Sequence, residues 1–113
     1  MRTAVKVTTE GQVAVLDLDS VDSELSTLQS AVGGWIEAVD VAGEMSIYLN
    51  EEGKMIGLPI NYVATWYFDQ TWGAGKDIIV GDVVFTGLPD GEGKTMGLTV
   101  EQLTGVMDRV GAS

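Results

Sequence analysis

The string Gly87-Leu88-Pro89-Asp90-Gly91-Glu92-Gly93-Lys94-Thr95 holds the residue types of a phosphate cradle. A loop of the form G-x-x-x-x-G-K-[ST] lies between a strand and a helix, where backbone N–H groups surround the anion and the lysine neutralises it. Gly93-Lys94-Thr95 supplies the end of that pattern, but Leu88 occupies the position of its first glycine and Gly87 lies one residue early. Asp90 and Glu92 would face the phosphates, and Met96-Gly97 falls where the helix must begin. The string reads as a solvated glycine-rich loop. Gly73-Ala74-Gly75-Lys76 follows a predicted helix instead of a strand, which reverses the dinucleotide-binding arrangement and leaves a turn or hinge.

Carboxylates offer a second kind of chemistry. Asp17-Leu18-Asp19-Ser20-Val21-Asp22-Ser23-Glu24 opens like a calcium loop, yet Val21 takes the fifth position, Asp22 the glycine position and Leu28 the position of the closing glutamate. Helix capping and complementarity to the helix dipole account for these acids better. Asp69, Asp77 and Asp82 fall near an aromatic region, but nothing in their spacing fixes the separation that paired acid–base catalysis needs. The chain has no cysteine and no histidine, which excludes a disulfide, a thiolate nucleophile, an imidazole-ligated haem and a Ser-His-Asp triad. No catalytic residue, cofactor site or metal site is assigned.

Aromatic residues and charge point to binding instead. Five of the eight aromatics fall within 62–72, namely Tyr62, Trp66, Tyr67, Phe68 and Trp72. Tyr62 and Trp66 share a helical face, as do Phe68 and Trp72, so this helix carries aromatics on more sides than one small core can take. These five are the candidate partner-binding residues, because Trp and Tyr are typical interface anchors. Of the net charge of −11, residues 1–52 hold −8 and residues 53–113 only −3. Asp17, Asp19, Asp22 and Glu24 are the candidate acidic surface that steers a basic partner, and the same charge opposes direct binding to nucleic acid.

The elements that must position these groups follow from periodicity. Residues 3–9 and 12–18 alternate around Glu10-Gly11 and predict a hairpin. Asp19-Ser20 then precedes an apolar stripe of Val21, Leu25, Leu28 and Val32, a helix stopped by Gly33-Gly34. Trp35–Val39 and Met45–Leu49 flank Ala42-Gly43 as a second hairpin, and Met55–Leu58 is expected as a short strand ended by Pro59. Asn61 caps a helix over about 62–71. Ile78–Val80 and Val83–Phe85 make a strand pair or one bent strand, and Thr99 with Gln102 forms a capping box opening a helix to about Val110. The order ββαββ(β)αβ(β)α gives a single α+β domain spanning 1–113, with a mostly antiparallel sheet and two to three helices. The most apolar stretch, Ile78 to Leu88, is interrupted by Asp82 and falls short of the roughly 20 residues of a membrane span. The N-terminus has no apolar signal region, so a cytoplasmic protein is expected.

Several spaced strings carry a family resemblance. Leu28-Gln29, Val32-Gly33-Gly34-Trp35-Ile36-Glu37, Asn50-Glu51-Glu52-Gly53-Lys54, Gly57-Leu58-Pro59 with Asn61, and Ile79-Val80-Gly81-Asp82-Val83-Val84 resemble the domain of unknown function 3846, a family of bacteriophages and bacterial mobile elements. The aromatic run after Asn61 and the segment Gly73 to Lys76 extend the family's usual connection. The resemblance implies this family's α+β fold and a phage accessory protein of the infected bacterial cytoplasm, and it transfers no catalytic residue. The expected function is non-enzymatic binding of a host or phage protein. An acidic DNA mimic that blocks a nucleic-acid-binding host protein is the alternative, followed by a small nucleotide-binding or hydrolytic enzyme. A homodimer through a strand edge or the aromatic face competes with all three.

Overall fold

The computed structural model describes residues 1–112. The alternating N-terminal runs form β1 (Thr3–Val7) and β2 (Val13–Asp17), turning through Gly11 at φ +80°. After α1 (Glu24–Val32) a second hairpin follows, β3 (Ile36–Val41) and β4 (Met45–Asn50). Then come α2 (Tyr62–Trp72), β5 (Val83–Gly87) and α3 (Val100–Ala112). One five-stranded sheet results, in the order β2-β1-β5-β4-β3, with every neighbouring pair antiparallel. The class is α+β, as the pattern predicts. β5, the last strand in sequence, lies between the two hairpins, opposing Val5 and Ile47 with Phe85.

Alternation along the strands sends side chains to two faces. Val5, Val7, Ile47, Leu49, Val83 and Phe85 join Val63, Ala64, Tyr67 and Val106 in the larger core, beneath α2 and α3. Ala4, Leu18 and Val84 meet Leu28 on the opposite face, beneath α1. Burying such side chains stabilises each by about 1.5–3 kcal/mol.

Three local expectations are corrected. α1 begins at Glu24 with Ser23 as its cap, because Ser20 is held in a turn by Asp17, and Leu25 of the expected stripe is exposed. Met55–Leu58 is not a strand. Ile56, Gly57 and Leu58 donate to the carbonyls of Glu52, Lys54 and Gly53, so local turns consume the hydrogen bonds a strand would offer. Ile78–Val80 contributes only the bridge of Val80 with Ile60, and Gly81 at φ +82° separates it from β5. Short apolar runs do not by themselves distinguish a strand from a turn. The capping box at α3 is present in full: Gln102 N–H donates to Thr99 Oγ1 at 3.1 Å, and Thr99 N–H to Gln102 Oε1 at 2.8 Å.

Candidate functional site

The glycine-rich loop already holds an anion of its own. Asp90 Oδ1 accepts from the backbone N–H groups of Glu92 and Lys94, each at 2.9 Å, and Gly93 N–H donates to the Asp90 carbonyl. Those N–H bonds keep the Asp90 carboxyl below the ordinary value. Thr95 is buried, with its hydroxyl against Tyr48 Oη and its carbonyl accepting from Arg2. In the segment before α3, two N–H groups of the loop are thus engaged by Asp90, and Thr95 is buried. Gly73 ends α2 by donating to the Asp69 carbonyl, and the Lys76 stem lies over it.

Two of the four acids of the N-terminal cluster gather around one cation. Arg2 donates to Asp19 and Glu24, both at 2.7 Å, and to the carbonyls of Thr95 and Leu18. Asp17 accepts from the Ser20 hydroxyl and the Asp19 N–H, which lowers its carboxyl, and the Arg2 hydrogen bond lowers that of Asp19. Asp22 is exposed beside α1. Asp77 pairs with Lys54, and Asp82 with Lys6 at 3.8 Å and the Thr9 N–H at 3.1 Å. Asp69 is in neither pair, and its Oδ1 is buried without a partner. Among the described residues no three acidic side chains are grouped to hold a metal ion.

The five aromatics separate by helix face. Tyr67 is only 8% exposed, with its ring edge-on to Phe85 at 5.3 Å, and Phe68 packs on the same core. Tyr62, Trp66 and Trp72 are exposed. The Trp72 indole N–H donates to the Asp40 carbonyl at 3.0 Å, tying the end of α2 to β3. Trp66 stands edge-on to Tyr67 at 5.0 Å, and Arg109 of α3 lies over its ring, 4.8 Å from the centroid.

That stacked pair lines a groove of about 850 Å³ between α2 and α3. Ala42, Gly43, Glu44 and Met45 at the β3–β4 turn also line it, and Gln102 pins this turn to α3 by donating to the Gly43 and Glu44 carbonyls. Gly105 of α3 faces Tyr67 Oη, which a Cβ there would meet in ordinary contact at 3.6 Å. No hydrogen bond reaches this Oη among the described residues, and burial pushes the phenol above its ordinary value. Glu44, Glu101 and Asp108 make three acidic residues of the lining against one basic residue, Arg109. The groove therefore combines an aromatic wall with acceptors suited to a cationic group. Sequence reasoning reached Trp66 and Tyr67 but missed Arg109, Glu44, Glu101 and Asp108. The spacing of Glu101, Gly105, Asp108 and Ala112 along one flank of α3 was the available signal.

A family model described as a domain of unknown function, DUF3846, matches residues 1–111. The chain belongs to this family. No curated protein and no solved structure matches it. The strings that resemble DUF3846 meet largely in one structural region, outside the α2–α3 groove. Asn61 is buried, donates to the Val7 and Gly81 carbonyls at 3.0 Å each, and caps α2 by accepting from Ala64. Asn50 donates to the Val32 carbonyl, and a Cβ at Gly34 would come within 2.8 Å of its amide. A Cβ at Gly81 would likewise come within 2.8 Å of Leu58 Cδ1. These DUF3846 residues join the turn after β4 to the entrances of α2 and β5.

Proposed function

We propose that this chain is a non-enzymatic protein-binding domain and that the α2–α3 groove receives a basic segment of its partner. The carrying observation is the exposed Trp66 indole, stacked with Arg109 in a groove where three carboxylates outnumber one guanidinium. An indole in a concave apolar setting is an effective anchor, and surrounding carboxylates favour a Lys- or Arg-bearing segment and speed its approach. A bacteriophage accessory role in the cytoplasm of an infected cell, with a host or phage protein as partner, is the form this reading takes from the family resemblance. Asp19, Glu24, Asp77 and Asp82 already hold cations of this chain, which makes the protein-binding reading preferable to a DNA mimic. The loop closed around Asp90 favours binding over nucleotide chemistry in the same way.

A photo-crosslinking residue at Gln70, on the groove lining, tests the proposal in bacterial lysate. The expected result is a discrete crosslinked partner that weakens with added salt and disappears in Trp66→Ala, while Trp35→Ala, an exposed tryptophan outside the groove, retains it. Equal capture by wild type and Trp66→Ala, or no capture, overturns the reading.

A further inference from the structure

The two edges of the sheet are finished differently. In an antiparallel ladder, residues alternate between turning both backbone groups toward the neighbouring strand and turning both away. Glu51 N–H donates to the Trp35 carbonyl, which extends the β3–β4 register and sets its hydrogen-bonded pairs at the odd positions of β3. The even positions of β3 therefore face the edge. At the far end of this edge, α2 takes the Asp40 carbonyl, to which Trp72 donates, and just past the strand the Ala42 N–H, which donates to Thr71 Oγ1. Glu37 and Asp40 add two carboxylates to that strand.

Among the described residues no helix end covers β2 in this way. Thr8 N–H donates to Gln12 and Leu18 N–H to Arg2, so the even positions of β2 face β1. Val13, Val15 and Asp17 turn their N–H and C=O groups outward. The Asp17 carbonyl accepts from Ser20, while no hydrogen bond among the described residues reaches the outward groups of Val13 or Val15. The side chains of Val13 and Val15 are 37% and 51% exposed, on the same side of the sheet as α3. Gly11 to Leu16 contains no charged residue in a chain of net charge −11. An exposed, uncharged apolar edge of this kind is a template for another strand.

We infer that the occupant is a second copy of this chain, paired antiparallel through β2 about a two-fold axis at Ala14. Self-pairing in this register sets Val13 opposite the partner's Val15 and Val15 opposite the partner's Val13. All four outward groups of these residues on each copy then find partners, and their side chains meet on one face. Asp17 falls opposite the partner's Gly11, so no carboxylate on β2 opposes another. This self-complementarity favours a second copy over a foreign strand, and it suits the isologous contact of a two-fold dimer. The resulting sheet has ten strands, and α3 separates the new interface from the groove, which stays open on each copy.

The absence of cysteine from the chain allows a positional test. Ala14 would face its own copy as a non-hydrogen-bonded pair, whose Cα separation of about 4.5 Å suits a disulfide. Ala14→Cys is expected to oxidise quantitatively to a crosslinked dimer, and Val13→Cys to crosslink far less. In sedimentation, wild type should run at twice the chain mass. Val15→Pro, which removes an outward N–H and no internal one, and Val15→Lys should both run as folded monomers. A wild-type chain that stays monomeric up to its solubility limit overturns the proposal. So does a dimer that survives both Val15 variants, or crosslinking that is no better at Ala14 than at Val13.

Discussion

On one face of the sheet a single helix, α1, covers a small apolar cluster around Leu28 and Val84. Beside it Arg2 gathers Asp19, Glu24 and two backbone carbonyls, joining the N-terminus, the turn after β2 and the segment before α3. On the other face α2 and α3 cover the larger cluster, and the arginine there is laid across an exposed indole. Two guanidiniums of one chemistry thus sit in different surroundings. Arg2 spends its donors on acceptors of its own chain and ties together segments distant in sequence. Arg109 lies over the Trp66 ring on the lining of the groove proposed to receive a partner. The acids divide along the same line: Asp19 and Glu24 belong to the scaffold around Arg2, whereas Glu44, Glu101 and Asp108 line the groove.

The contrast can be broken first in the cores. Phe85→Ala, in the central strand beneath α2 and α3, is expected to cost about 3–5 kcal/mol, and Leu28→Ala beneath α1 about 2 kcal/mol. Chemical denaturation reads both, and a larger loss at Leu28 would invert the ranking of the faces. Next in size is Arg2→Met, expected to lower the melting temperature while leaving capture by the groove unchanged. It also carries a pH signature. The Asp19 carboxyl is lowered chiefly by its hydrogen bond with Arg2, so its stabilising contribution is complete above the ordinary value of 3.8 and is lost as pH falls through the lowered folded value. Unfolding measured across the acid range should therefore show a shallower acid limb in Arg2→Met than in wild type. The smallest expected change is Tyr67→Phe. Its phenol makes no hydrogen bond among the described residues, so stability at neutral pH should move by no more than about 0.5 kcal/mol. In wild type the buried phenol is raised above 10.0, so the unfolded chain ionises first and stability falls as pH rises beyond that value. Tyr67→Phe should lack that alkaline component, and an unchanged alkaline limb would mean that the phenol is not the group responsible.

Local signals were the legible ones. The alternation of Val5 and Val7 with Val13 and Val15, the cap at Asn61 and the box of Thr99 and Gln102 each act within a few residues, and each produces the expected element. Met55–Leu58 misled because an apolar run carries no record of which backbone partners its turn will find. The site was half legible. Trp66 stood out by composition, but its neighbours come from the β3–β4 turn and α3, and only the tertiary packing of α2 against α3 brings Arg109 over the ring. In the same way, the charge count located acids near the N-terminus without revealing that Arg2 folds back among them.

The central position of β5 also orders events in time. Each hairpin, β1–β2 and β3–β4, closes over a short turn, so each forms from neighbouring residues. The strand that joins them is the last one synthesised, and its pairing of Val5 with Phe85 spans most of the chain. Contacts of such wide sequence separation must meet the entropy of loop closure before they contribute, which slows folding relative to helical proteins of this size. A nascent chain halted before β5 holds two half-sheets, each with its inner edge unpaired and open to misassociation. The domain becomes one cooperative body only when residues 83–87 have entered the gap.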